Sequence, residues 1–298
     1  MFLQKTLKKE TIVYGIGLHT GVACSVKLKP APPDFGIHLI KKINDQSYSV
    51  KVFAENVKAT QNATTIGGPY FQISTVEHCL SSLAALRVDN LFIEIEGPEL
   101  PVCDGSARDF LAAIDAVGLV EQDQPRKYIY IHEPLSVEDG DKSAKVLPYD
   151  GLRITASIEF THPAIQKQTF DIDVNDVSFE REIAGARTFG FLKDVEKLRS
   201  QGLALGGSFD NAVVLDDVSV LNAEGLRYSE EFVRHKVLDA LGDLVTLGAP
   251  LMGHVILNKA GHDLLNKLVR KILSLPENNI NVELGEKVVL APTPWIMG

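Results

Sequence analysis

One succession of elements occurs twice in this chain, and it restricts the possible folds more than any other feature. In the first pass STVEHCLSSLAAL reads as a helix, NLFIEIE as a strand, a glycine turn falls at Gly105, and SARDFLAAIDAV reads as a closing helix. In the second, FVRHKVLDALGDLVTLG, GHVILN, Gly261 and HDLLNKLVRKIL take the same places. The histidines on the two leading helices, His78 and His235, are 157 residues apart (235 − 78), and the two glycines 156 (261 − 105). A near-constant offset suggests an internal duplication, although any two α+β units can share such an order. Two copies would pack with equivalent helices facing each other, bringing His78 toward His235. Elsewhere VACSVKLKP, SYSVKVFA, KYIYIHE, LRITASIEF and QTFDIDV alternate apolar and polar residues, the period of half-buried strands. The polar, proline-bearing EQDQPRK (121–127) follows a helix and marks a boundary near 126. The expected fold is α+β: an N-terminal domain 1–126 and a C-terminal domain 127–298, each a mixed sheet packed on two helices, with the active site at their interface.

A chain of 298 residues, 45% hydrophobic, can bury two modest cores. No apolar run approaches the roughly 18 residues of a membrane span, and the N-terminus lacks the apolar core of a secretory signal, so no transmembrane segment and a cytoplasmic location are expected. Cys24, Cys79 and Cys103 are odd in number, widely spaced and without a C-x-x-C pair, which argues against a disulfide framework and a thiolate zinc cluster. Any metal must then be held by histidine and carboxylate. A net charge of −9 disfavours nucleic acid as a partner, and nothing indicates an obligate protein partner.

In FVRHKVLDALGDL the residues His235, Asp239 and Asp243 recur every fourth position on a helix marked by Val237, Leu238, Leu241 and Leu244. Residues four apart stack on one helical face, so His235 and Asp239 can grip one ion. Two ligands do not make a metal site, and in isolation each residue reads equally well as a polar helix surface. With His78 as a third ligand, zinc would keep a fourth position open for water, the arrangement of a hydrolytic site. The helix around His78 opens with Ser74 and Glu77 at the S-x-x-E spacing of a capping box, so locally Glu77 reads as a structural cap. The positive end of that helix favours the neutral imidazole a metal requires. Neither H-E-x-x-H nor H-x-x-E-H is present, which disfavours a zinc peptidase.

Three further stretches bear on chemistry. AGHDLLNKL sets His262 directly after Gly261 at a helix start, where the ring can project or simply satisfy a turn; Asp263 beside it is a carboxylate able to perturb it. The glycine-rich 182–214 is apolar at Phe189, Phe191, Leu192, Val195, Leu198, Leu203, Leu205 and Phe209, as in a short helix and loops that pack on a core or line a groove for an aliphatic chain. GIGLHTG (15–21) matches neither G-x-G-x-x-G nor G-x-x-x-x-G-K-[ST] and reads as a turn between strands.

Taken together, GIGLHTG, STVEHCLSSLAAL, ELPVCDGSA, ARTFGFLKDVEKLRSQGLALGGS, GLRYSEEFVRHKVLDALGDL and the Gly-His pair of AGHDLLNKL resemble one family. It is that of the bacterial UDP-3-O-acyl-N-acetylglucosamine deacetylases, zinc amidohydrolases of lipid A synthesis, and the resemblance runs from Thr6 to about Lys271. It implies His78, His235 and Asp239 as Zn2+ ligands and Glu77 as the general base, displacing the cap. It implies His262 as a protonated imidazole that serves the departing amine, held by Asp243, with Thr188 donating to the oxyanion and Lys236 and Lys259 supplying positive charge near the substrate. It further implies that Phe189 stacks on the sugar and Phe160 on the nucleobase. Leu18, Phe191, Leu192, Val195, Leu198, Ala204 and Phe209 would form the passage for the 3-O-acyl chain, with an insert near 187–215, and His19 would contact the substrate. The implied reaction releases acetate from UDP-3-O-acyl-N-acetylglucosamine. The alternative from another class is a noncatalytic sugar-nucleotide or acyl-chain binding protein.

Overall fold

Period-two burial builds the first half of the chain. The computed structural model describes residues 2–275, so the sequence expectations for 276–298 lie outside the described residues. Strands β1 (Leu3–Leu7), β2 (Thr11–Ile16), β3 (Ala23–Pro30), β4 (Ile37–Ile43) and β5 (Gln46–Lys51) come first. A small sheet follows, made of β6 (Val57–Ala59), β7 (Thr65–Gly67) and β8 (Gln72–Ile73), then α1 (Glu77–Ala85), β9 (Leu91–Glu96), α2 (Arg108–Val117) and β10 (Leu119–Pro125). Five of the strands form one sheet in the order β2-β3-β9-β4-β5, with β4 and β9 its parallel pair. In β9 the alternate residues Leu91, Ile93 and Ile95 are buried, in one core with Leu80 and Leu83 of α1 and Phe110 and Ile114 of α2.

The second half comprises β11 (Ile129–Tyr130), β12 (Leu135–Asp139), β13 (Lys142–Leu147), β14 (Leu152–Glu159), β15 (Lys167–Asp173), α3 (Asp176–Glu182), β16 (Phe189–Phe191), α4 (Leu192–Ser200), β17 (Val213–Leu215), α5 (Glu231–Leu244), β18 (Leu251–Asn258) and α6 (His262–Leu273). Its sheet runs β12-β13-β18-β14-β15, with β14 parallel to β18 and β11 beside the start of β18. The two sheets therefore repeat one connectivity: two hairpins, then a last strand that follows a helix and inserts between them, then a second helix. In α6 the stripe Leu264, Leu265, Leu268, Val269 and Ile272 is buried, the period expected of a helix with one covered face.

Helices α1 and α5 are buried almost all round, as befits elements packed on a sheet on one side and on each other on the other. Gly242 permits that approach: a Cβ there would lie 2.1 Å from the Glu77 carbonyl oxygen.

EQDQP, where the polar sequence places a boundary, belongs to β10, paired antiparallel with β1, and the next residue, Arg126, is buried with its guanidinium on Asp89 at 2.7 and 2.8 Å. One expectation needs correction. In KYIYIHE the strand covers only Ile129 and Tyr130. GIGLHTG is the expected turn, joining β2 to β3.

Candidate metal centre

The close contact of α1 with α5 sets the geometry of the candidate ligands. His78 stands one residue into α1 and His235 in the first half of α5, and their ring centroids are 5.1 Å apart at 84°. Asp239, one turn beyond His235, places Oδ1 3.2 Å from His235 Nε2 and 3.9 Å from His78 Nε2. Its other oxygen accepts from Lys236 Nζ at 2.7 Å. All three side chains are buried, and their ligand atoms lie within 4.8 Å of one another. Burial drives both imidazoles toward neutrality, with pKa values of about 4 for His78 and about 3 for His235. Burial alone would raise the Asp239 carboxyl, but His235, Lys236, His262 and His78 around it hold it well below the usual carboxylate range. His235 Nδ1 meets the Ala186 carbonyl at 3.0 Å, which fixes that nitrogen as the donor and leaves the Nε2 lone pair facing Asp239. Two neutral nitrogens and one anionic oxygen, converging in a buried site, are a donor set that suits a divalent metal ion.

Three more titratable side chains, Glu77, Asp243 and His262, adjoin it. Glu77 does not cap its helix: the residue before α1 makes no side-chain cap bond, Ser74 Oγ instead accepts from Thr65 Oγ1 at 3.2 Å, and Glu77 Oε2 accepts from the Thr64 N–H at 3.1 Å. The expected capping box is thus absent, because Thr75 lies in the left-handed region (φ 56°) and takes Ser74 off the helix end. Burial lifts the Glu77 carboxyl to about 8; His262 opposes this, and Asp239 and Asp243 reinforce it. His262 opens α6, and its Nδ1 is 2.6 Å from Asp243 Oδ2. Burial works against a charged ring there, but the Asp243 carboxylate overrides it and the pKa rises to about 10. Glu77, Asp239 and His262 also converge within 4.8 Å, yet a ring held protonated offers no lone pair, so this second trio is a poor ligand set. Asp263 turns away from His262 and pairs with Lys267 at 2.8 Å.

Phe160, Phe189 and Phe191 share an aromatic cluster, with centroids 5.9 Å (Phe160–Phe189) and 5.8 Å (Phe160–Phe191) apart, and Lys236 Nζ lies 5.5 Å from the Phe189 ring. Thr188 follows the segment that holds His235; its N–H donates to the Gly105 carbonyl, and its own carbonyl accepts from Val213. Leu18 and His19 meet the second glycine-rich loop: the Leu18 and His19 carbonyls accept from Gly206 and Leu205, and a Cβ on Gly206 would lie 2.2 Å from the Gly17 oxygen. Ala204 lies there too, its N–H 3.4 Å from His19 Nδ1. Along α4 and after it Val195 and Leu198 are half-buried, while Leu192 and Phe209 are exposed. Lys259 is set apart, paired with Glu159 at 2.6 Å and Asp141 at 3.0 Å.

Sequence reasoning missed the supports. Thr64 touches Glu77, Asp243 and His262, and nothing in the run ATT signals it. Glu99, fully buried, accepts from the His19 and Thr20 amides and the Thr75 hydroxyl and so pins the first glycine loop. Arg187 and Glu231 form a buried pair at 2.8 Å that ties the Thr188 segment to α5.

Fold and site together define a class: an α+β protein of two like halves, with a buried His-His-Asp set able to hold a metal where their leading helices meet. Within it, the chain belongs to the UDP-3-O-acyl N-acetylglycosamine deacetylase family, whose family model matches residues 4–274. A UDP-3-O-acyl-N-acetylglucosamine deacetylase of Bdellovibrio bacteriovorus is 60% identical over 97% of this chain and 95% of its own length. Proteins of the same name from Myxococcus xanthus and Syntrophus aciditrophicus are 48% and 45% identical, over 92% and 93% of this chain and 87% and 88% of theirs.

Proposed function

We propose that this protein hydrolyses the N-acetyl amide of UDP-3-O-acyl-N-acetylglucosamine to UDP-3-O-acyl-glucosamine and acetate, an early committed step of lipid A biosynthesis, and that His78, His235 and Asp239 hold a zinc ion for that purpose. The observation that carries the reading is the convergence, in one buried cluster, of a neutral His-His-Asp set with a carboxyl of raised pKa and a charged histidine. When bound, zinc supplies positive charge that acidifies a coordinated water and polarises an amide carbonyl.

This chain's own residues do the rest. Glu77 takes the proton of the attacking water on Oε1, the oxygen that the Thr64 amide leaves free. His262 gives its proton to the amine nitrogen as the C–N bond breaks, and Asp243 keeps the ring charged until then. Thr188 donates to the developing oxyanion, beside the positive charge of Lys236. Phe189 and Phe160 offer ring faces to the sugar and nucleobase. Leu18, His19 and the apolar residues of 187–215 border the acyl chain, and Lys259, already paired with two carboxylates, contributes charge only at the margin. A UDP-linked acylated substrate is the partner, a cytoplasmic location goes with it, and a division at 126 that arose by duplication is supported by the repeated sheet connectivity.

Incubating purified protein with UDP-3-O-acyl-N-acetylglucosamine should release acetate. Tight binding without acetate would favour the noncatalytic sugar-nucleotide or acyl-chain binding protein instead.

A further inference from the structure

We infer that Thr64 is a positioning residue that sets both proton-transfer groups at once: the Glu77 carboxylate through its backbone amide, and the His262 ring through its hydroxyl and Asp243. The inference rests on the roles proposed above for Glu77 and His262. Thr64 lies just before β7, in the first half, and is buried. Its N–H donates to Glu77 Oε2 at 3.1 Å, and its Oγ1 donates to Asp243 Oδ1 at 2.6 Å. The second Asp243 oxygen, Oδ2, accepts from His262 Nδ1 at 2.6 Å.

The division of oxygens is what gives this arrangement its use. With Oδ1 taken by the hydroxyl, Asp243 presents Oδ2 to the imidazole, which holds Nδ1 inward and leaves Nε2 to meet a leaving amine. The hydroxyl also lies 3.3 Å from Nδ1, close enough to limit ring rotation. In the same way, an amide tied to Glu77 Oε2 leaves Oε1 to accept the proton of water. Thr64 belongs to one half of the chain, Asp243 and His262 to the other, so its hydroxyl also registers the acid against the base across the junction. A buried hydroxyl that merely filled space could be replaced by any group of the same shape.

Thr64→Val keeps the shape, removes the donor and leaves the backbone amide, so it isolates the hydroxyl. With the metal-loaded enzyme, T64V is expected to lower kcat on the order of 10- to 100-fold, the usual worth of a partner that orients a reacting group, with KM unchanged and T64S close to wild type. A reading free of turnover is the ring 15N spectrum of His262 in the metal-free protein at neutral pH. Wild type and T64S should share one pattern, and T64V should show an altered Nδ1 hydrogen bond. Should T64V not fold, Thr64→Cys, with a weak donor of similar size, takes its place with the same expectations. Wild-type kcat together with an unaltered ring spectrum in the donor-deficient variant overturns the inference. If the wild-type protein releases no acetate, the functional reading fails, and the ring spectra still decide whether Thr64 holds His262.

Discussion

Burial lifts the Glu77 carboxyl from 4.5 to about 8, so the folded chain keeps a proton that the unfolded chain would release. Because the folded value is the higher one, this contribution to stability is full below about pH 4.5 and is lost as pH rises through about 8. In the metal-free protein Glu77→Gln, which has no proton to lose, should therefore melt above wild type at pH 8 and show a much smaller advantage near pH 4.5, as thermal scans at the two values will show. The same variant should lose on the order of 10² to 10⁴ in turnover, the range of positioned proton transfer; undiminished acetate release would remove Glu77 from the base role. His262 leans the same way, its stabilising contribution present below 6.5 and lost as pH rises through about 10. At this scale the sequence made the candidates legible but not their partners. His78, His235, Asp239 and Asp243 stand out by type and spacing, whereas Glu77 fits a helix cap equally well, and the uncapped end of α1 and the contact of Glu77 with Thr64 tell the two apart. Thr64, Glu99 and Glu231 carry no local pattern, because a buried polar side chain is defined by partners far along the chain.

Helices were the most legible elements, since α5 and α6 show their apolar stripes at helical spacing and α6 opens at a glycine. Strands β1, β2, β4, β12 and β13 were not singled out from the sequence. Of these, β2 and β12 lie at sheet edges, where β2 buries only Val13 and β12 buries no residue, so period-two burial is blurred. The contact that matters most between elements depends on one missing side chain. Gly242→Ala would bring a Cβ to 2.1 Å from the Glu77 carbonyl oxygen, backbone that cannot swing aside as a side chain can. The variant should cost about 1–3 kcal/mol, the usual range for overpacking. By pushing α1 off α5, and His78 with it, it should also weaken zinc binding relative to wild type, a change that a competitive chelator titration can measure. Unchanged affinity would mean that the two helices do not set the ligand spacing.

Across the whole molecule, one connectivity occurs twice and the proposed ligands are divided between the copies, His78 from the first and His235 and Asp239 from the second. The near-constant offset of 156 to 157 residues foreshadowed this, although the sheets themselves could not be drawn from the sequence, because the insertion of β9 and β18 between hairpins is a long-range pairing. No helix among the described residues is long and apolar enough to cross a membrane. A cavity of about 460 Å³ opens at the far ends of α1 and α5, lined by Ala85 and Leu244 among others, and none of the proposed ligands lines it. The measurement that bears most directly on the central claim is the zinc content of wild type, His78→Ala and His235→Ala, each confirmed as folded. We expect one ion per wild-type chain and loss of it in both variants, one altered in each half. A full complement of zinc in either variant would contradict a site shared between the two helices.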